Sequence, residues 1–130
     1  DTITLGYSLE SGDTVEIISL ATVSILDWDI QNGLATLTGT TEQVADTYEH
    51  AVYRTVKYIV QMKSGANIHS TEILVTHDGT NVYTTEYATL ITNISLGTID
   101  ADLSGNNVRL LITPTQSSTT VKLKKIVVDA

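Results

Sequence analysis

Three histidines, His50, His69 and His77, are the first side chains here that could ligate a transition metal or exchange a proton near neutral pH. His69 and His77 share a parity of one extended segment, but eight residues of strand hold them roughly 26 Å apart, too far to share an ion. A hydrogen bond from the turn-adjacent His77 to its own hairpin is the expected role. Two Asp-x-Asp pairs, Asp27-Trp28-Asp29 and Asp100-Ala101-Asp102, each place two carboxylates on one strand face about 7 Å apart, a spacing that a hard cation could bridge. No EF-hand loop accompanies them, no bidentate Glu stands at a matching offset, and solvated strand ends commonly carry such pairs. No serine lies in a Gly-x-Ser-x-Gly elbow and no glycine-rich loop could cradle a phosphate. Trp28 and six tyrosines could stack on sugar rings, although a core or subunit contact is the ordinary fate of such residues. No catalytic, cofactor-binding or metal-ligating residue is assigned on these grounds, and the chain is expected not to be an enzyme.

The elements that would have to position such groups come from a chain of 130 residues, the size of one domain able to bury a sizeable core. It contains no cysteine, which excludes disulfides, thiolate metal sites and thiol nucleophiles. Its formal net charge is -8, and the one basic cluster is Lys122, Lys124 and Lys125, so no nucleic-acid partner is expected. Apolar runs such as Ile17 to Leu20 are far shorter than the roughly 20 residues of a membrane-spanning helix, so no membrane partner is expected either. The chain starts Asp1-Thr2-Ile3 without a leader pattern, as a processed terminus or the edge of a longer polypeptide would.

The chain is rich in Thr, Val, Ile and Tyr, with Gly and Asn gathered between apolar stretches, the pattern of short strands joined by turns. Period-two alternation puts Val56, Tyr58, Val60 and Met62 on one face of a strand and Lys57, Ile59 and Gln61 on the other. Strands follow over residues 68–77 and 82–91, reversed by Asp78-Gly79-Thr80-Asn81, whose residues tolerate turn backbone angles. A strand over 97–103 leads through Ser104-Gly105-Asn106-Asn107 to one over 108–113, with Val108, Leu110 and Ile112 on one face and Pro114 ending it. In the last strand, 119–128, Val121 and Leu123 share one parity and Ile126 and Val128 the other, which predicts a bulge near Lys124 and Lys125 on an edge strand. The predicted core includes Val56, Tyr58, Val60, Leu74, Leu110 and Ile112.

Earlier in the chain, residues 2–9 and 15–26 read as strands, and Asn32-Gly33 as a hairpin turn before a strand over 34–38. Residues 40–51 read as a polar loop, with a short helix as the alternative. The fold expected is all-β, an antiparallel two-sheet β-sandwich, jelly-roll-like, in a single domain over 1–130.

The blocks Tyr53-Arg54-Thr55-Val56-Lys57-Tyr58-Ile59-Val60-Gln61, Glu72-Ile73-Leu74-Val75-Thr76-His77-Asp78-Gly79-Thr80 and Thr85-Glu86-Tyr87 resemble a module of structural proteins from tailed phages that infect marine cyanobacteria. The similarity continues through residues 96–102, 107–111 and 119–122 and spans about 53–128, which leaves 1–52 as a variable docking portion. The resemblance implies a virion, tail-fibre or particle-surface component with a structural role, and transfers no functional residue. Its implied partners are other virion proteins and copies of itself, as a homotrimer or multi-copy lattice. Two other roles are compatible with the residues: a glycan- or receptor-binding fibre domain, and a subunit of an extracellular filament assembled by strand donation.

Overall fold

The computed structural model describes residues 30–130. These form eight strands: β1 Ile30–Thr38, β2 Gln43–Glu49, β3 Tyr53–Ser64, β4 Asn67–His77, β5 Val82–Ile91, β6 Gly97–Ser104, β7 Asn107–Pro114 and β8 Ser118–Asp129. A five-stranded sheet in the order β1-β8-β3-β4-β5 packs on a three-stranded sheet in the order β2-β7-β6, with every pairing antiparallel. The protein is thus an all-β sandwich. β1 pairs with β8 and β2 with β7, β4 and β5 form a hairpin, β3 lies between β8 and β4, and β6 closes a hairpin on β7. The strands expected at 2–9 and 15–26 lie outside the described residues, as do Asp27, Trp28 and Asp29.

Alternation decides which face each strand buries. Val56, Tyr58, Val60 and Met62 from β3 meet Val108, Leu110 and Ile112 from β7 between the sheets, as their parities predict, joined by Ile73, Val75, Leu96 and Val121. Leu74 is a correction: it points outward and is 39% exposed, because His69, Thr71, Ile73, Val75 and His77 share the inward parity of β4. That strand is apolar on both faces at its centre, so hydrophobicity alone did not choose between them.

Four further expectations change. Asn32 and Gly33 are not a turn; they lie inside β1, paired with Lys124 and Leu123. Gly33 is needed there because a Cβ would fall 2.7 Å from Leu123 Cδ1. The segment expected as a loop contains β2, whose inward Tyr48 supplies the burial a polar reading of its sequence overlooks. No register shift occurs near Lys124 and Lys125: the inward parity runs Val121, Leu123, Lys125, Val127, leaving Ile126 and Val128 outside. Nor is β8 an edge, since it lies between β1 and β3.

Among the described residues the edges of the large sheet are β1 and β5. A register shift opposite Ser70 and Glu72 interrupts β5, where Ala88 takes a left-handed φ of 54°, unusual for a residue with a Cβ. Beyond Val82, every residue of β5 is exposed, so this strand overhangs the smaller sheet.

Candidate functional site

Most of the side chains that could do chemistry are engaged in holding the sandwich together. At one end, Asp46 of β2 reaches between the sheets and its Oδ2 accepts hydrogen bonds from Tyr58 Oη and Lys125 Nζ, both at 2.9 Å. Lys125 is 7% exposed, so this is a charge pair withdrawn from water, and it explains how a lysine can occupy an inward position. Burial first, and then the charge and hydrogen bond of Asp46, hold the Tyr58 phenol far above its ordinary range. Tyr48 lies next to this group; burial pushes its phenol up to about 12, and its hydroxyl has no hydrogen-bond partner among the described residues. Neither tyrosine ionises near neutral pH.

The inward histidines cap the two ends of β4. Nδ1 of His77 accepts the Gly79 N–H at 3.1 Å, which leaves the proton on Nε2 to be donated to the Tyr53 carbonyl at 2.8 Å. The expected hairpin role of His77 is therefore seen. His69 repeats the device: its Nδ1 accepts the Leu96 N–H at 3.2 Å, while the buried Nε2 has no partner among the described residues. Burial lowers the His69 pKa, against an opposing pull from Glu86. His50 stands edge-on to His77, with ring centroids 5.7 Å apart.

Of the Asp-x-Asp pairs, the described one is occupied internally. Both oxygens of Asp102 accept from Arg109 across the β6–β7 ladder, and that pairing lowers the Asp102 pKa. Asp100 Oδ1 takes the N–H of its neighbour Ala101. Asp78 uses Oδ1 to fix the Thr80 and Asn81 amides of the β4–β5 turn, which holds its carboxyl below the usual range. Among the described residues, no three His, Asp or Glu side chains converge as metal ligands would.

What remains is a surface. On the outer face of the five-stranded sheet the register aligns Leu34, Lys122 and Gln61 in one row, Asn32, Lys124, Ile59, Glu72 and Tyr87 in the next, and Ile30, Ile126, Lys57, Leu74 and Thr85 in a third. Ile59, Gln61, Lys122, Leu123 and Lys124 line a shallow recess of ≈ 270 Å³ at its centre. Leu34 is 69% exposed, and Ile30, Ile59, Leu74 and Ile126 also stand in solvent. Lys63 adds a fourth lysine beside Thr120, whereas Glu72 is the one carboxylate on this face among the described residues. Glu72 lies 3.5 Å from Lys57, whose ammonium also sits 5.9 Å from the Tyr87 ring centre. The sequence listed Lys122 and Lys124 as a basic cluster but could not show that β3 brings Lys57 and Lys63 beside them; cross-strand register supplies that.

This sequence matches no protein-family model and no curated protein. Solved structures similar to it include three phage tailspikes. Over 99% of this chain and 25% of the other, it resembles the tailspike of Acinetobacter phage vB_ApiP_P1 with a TM-score of 0.45 and 12% identity. Over 75% of this chain and 17% of the other, it resembles tailspike gp49 of Acinetobacter baumannii bacteriophage Fri1, a capsular polysaccharide depolymerase, with a TM-score of 0.44 and 11% identity. The tailspike of A. baumannii phage AM24 follows at 0.36 and 7%, over 78% of this chain and 27% of that one. The chain thus spans about a quarter or less of these tailspikes, and no functional residue carries over at such similarity.

Proposed function

We propose that this chain is a non-enzymatic structural component of a phage virion, a capsid-decoration, tail or fibre module that acts through contacts with copies of itself and with other virion proteins. The observation that carries this reading is the outer face of the five-stranded sheet, studded among the described residues with exposed aliphatic side chains, in a fold whose interior chemistry is spent on its own packing. Large exposed apolar side chains gathered on one face are a recurrent feature of protein contact sites. The resemblance of 53–128 to cyanophage-type structural modules points the same way. Mass spectrometry of purified particles should find the chain in multiple copies; particles that lack it would refute a virion role.

One observation favours a second reading, a glycan-binding fibre domain. Tyr83 and Tyr87 lie on the same outer face of β5, roughly 13 Å apart along the strand, and the Tyr83 hydroxyl is anchored on Asp78 Oδ2 at 3.1 Å. A glycan array probed with the protein and with a Tyr83→Ala, Tyr87→Ala variant separates the readings: binding that is lost in the variant supports the second.

A further inference from the structure

The chain segregates its charge along its length. Residues 1–29 contain six carboxylates, Asp1, Glu10, Asp13, Glu16, Asp27 and Asp29, and no Lys, Arg or His. Removing those six from the fifteen acidic residues leaves nine against all seven basic ones, so 30–130 carries a formal charge of only -2. Four of those seven, Lys57, Lys63, Lys122 and Lys124, stand together on the outer face of the five-stranded sheet, where Glu72 is the one carboxylate among the described residues. The same face presents Leu34, Ile59, Leu74 and Ile126 between the lysines. An occupant matched to it would be acidic, apolar and extended. Residues 13–29, Asp-Thr-Val-Glu-Ile-Ile-Ser-Leu-Ala-Thr-Val-Ser-Ile-Leu-Asp-Trp-Asp, are acidic and apolar in sequence.

We infer that the lysine-bearing face is the docking surface for the acidic leading segment, residues 1–29, of a second copy of this chain. This rests on the reading of the protein as a multi-copy structural module and names the contact it would use. Copies with a net charge of -8 repel one another, and pairing an acidic segment with a basic face converts that repulsion into a specific, directional attraction. The segment belongs to one copy and the face to another, so the contact is heterologous and can close a ring or extend a lattice.

The test uses the full chain. Unlabelled and ¹⁵N-labelled protein are mixed at low concentration, concentrated together and treated with a carbodiimide, which joins a lysine to a carboxylate in contact with it. Peptide mass spectrometry should find mixed-isotope links from Lys57, Lys63, Lys122 or Lys124 to carboxylates of residues 1–29, with the Lys57–Glu72 link as the internal control. Links to those carboxylates within one isotope alone, or no such links while the control forms, would overturn the inference. A Lys122→Glu, Lys124→Glu variant, checked for its fold by circular dichroism, should self-associate about tenfold more weakly or worse, as the loss of two charge pairs and the gain of two repulsions predicts. Undiminished association of that folded variant would also overturn the inference, while leaving the multi-copy reading intact; a wild-type chain that stays monomeric when concentrated would remove both.

Discussion

The two outer faces of the sandwich are both antiparallel sheets, of five and three strands, and carry different surfaces. On the three-stranded sheet, Asp100, Asp102 and Glu49 face solvent with Arg109, and Val44, 43% exposed, is the large aliphatic residue left in water. Leu111 shares that parity but is 6% exposed, lying between Val44 and Asp100 in the register. On the five-stranded sheet the charge is reversed and aliphatic residues stand open between lysines. Core packing requires neither pattern, because both sets of residues point away from the interior. The smaller sheet turns an acidic, mostly polar surface to water, whereas the larger one is proposed to be a contact surface.

The interior sets the scale against which either surface can be judged. The largest effect expected is at Asp46, whose removal leaves the Lys125 ammonium and the Tyr58 hydroxyl buried without their acceptor. Asp46→Ala should destabilise the fold by about 3–5 kcal/mol in chemical denaturation, and pairing it with Lys125→Met should recover much of that loss. Failure of the double variant to recover would mean that Asp46 matters chiefly through Tyr58.

Next in size is a direct contrast of inward and outward leucines. Leu110→Ala should cost about 2–5 kcal/mol and Leu74→Ala less than about 1 kcal/mol, read from urea midpoints. Similar losses at both sites would show that the outer face is packed even in the isolated chain.

Smaller again is the acid response of His69. Its folded pKa is depressed, so the folded state resists a proton that the unfolded state accepts below about pH 6.5. Stability contributed by the neutral ring is complete above that pH and falls as acid carries the protein toward the lower folded pKa. His69→Asn offers an acceptor for the Leu96 amide without titrating, so its melting temperature should vary less than that of wild type between pH 7 and 5. An unchanged slope would assign the acid response to other groups.

The strands were legible wherever alternation was clean: β5 spans the expected 82–91, and the faces of β3 and β7 are those read from Val56–Met62 and Val108–Ile112. Legibility failed where a long-range partner overrides local pattern. Lys125 faces inward because Asp46, distant in sequence, receives its charge, and a reader without that partner replaces it with a bulge. Gly33 looks like half of an Asn-Gly turn until Leu123 is seen to occupy the space beside it. Leu74 sits in an apolar triplet whose inward members are chosen by His69 and His77, and polar residues at a core parity are invisible to a hydrophobic pattern. The candidate surface needed register, since its lysines come from two strands separated by most of the chain's second half.

Sedimentation velocity on the full-length chain with one carboxylate placed on each outer face tests the contact surface most directly. Leu34→Asp, on the lysine-bearing face, should shift the assembled species to monomer, while Val44→Asp, on the acidic face, should sediment as wild type does. Equal behaviour of the two variants, or dissociation by Val44→Asp alone, would contradict the assignment of the five-stranded sheet as the face through which copies of this protein meet.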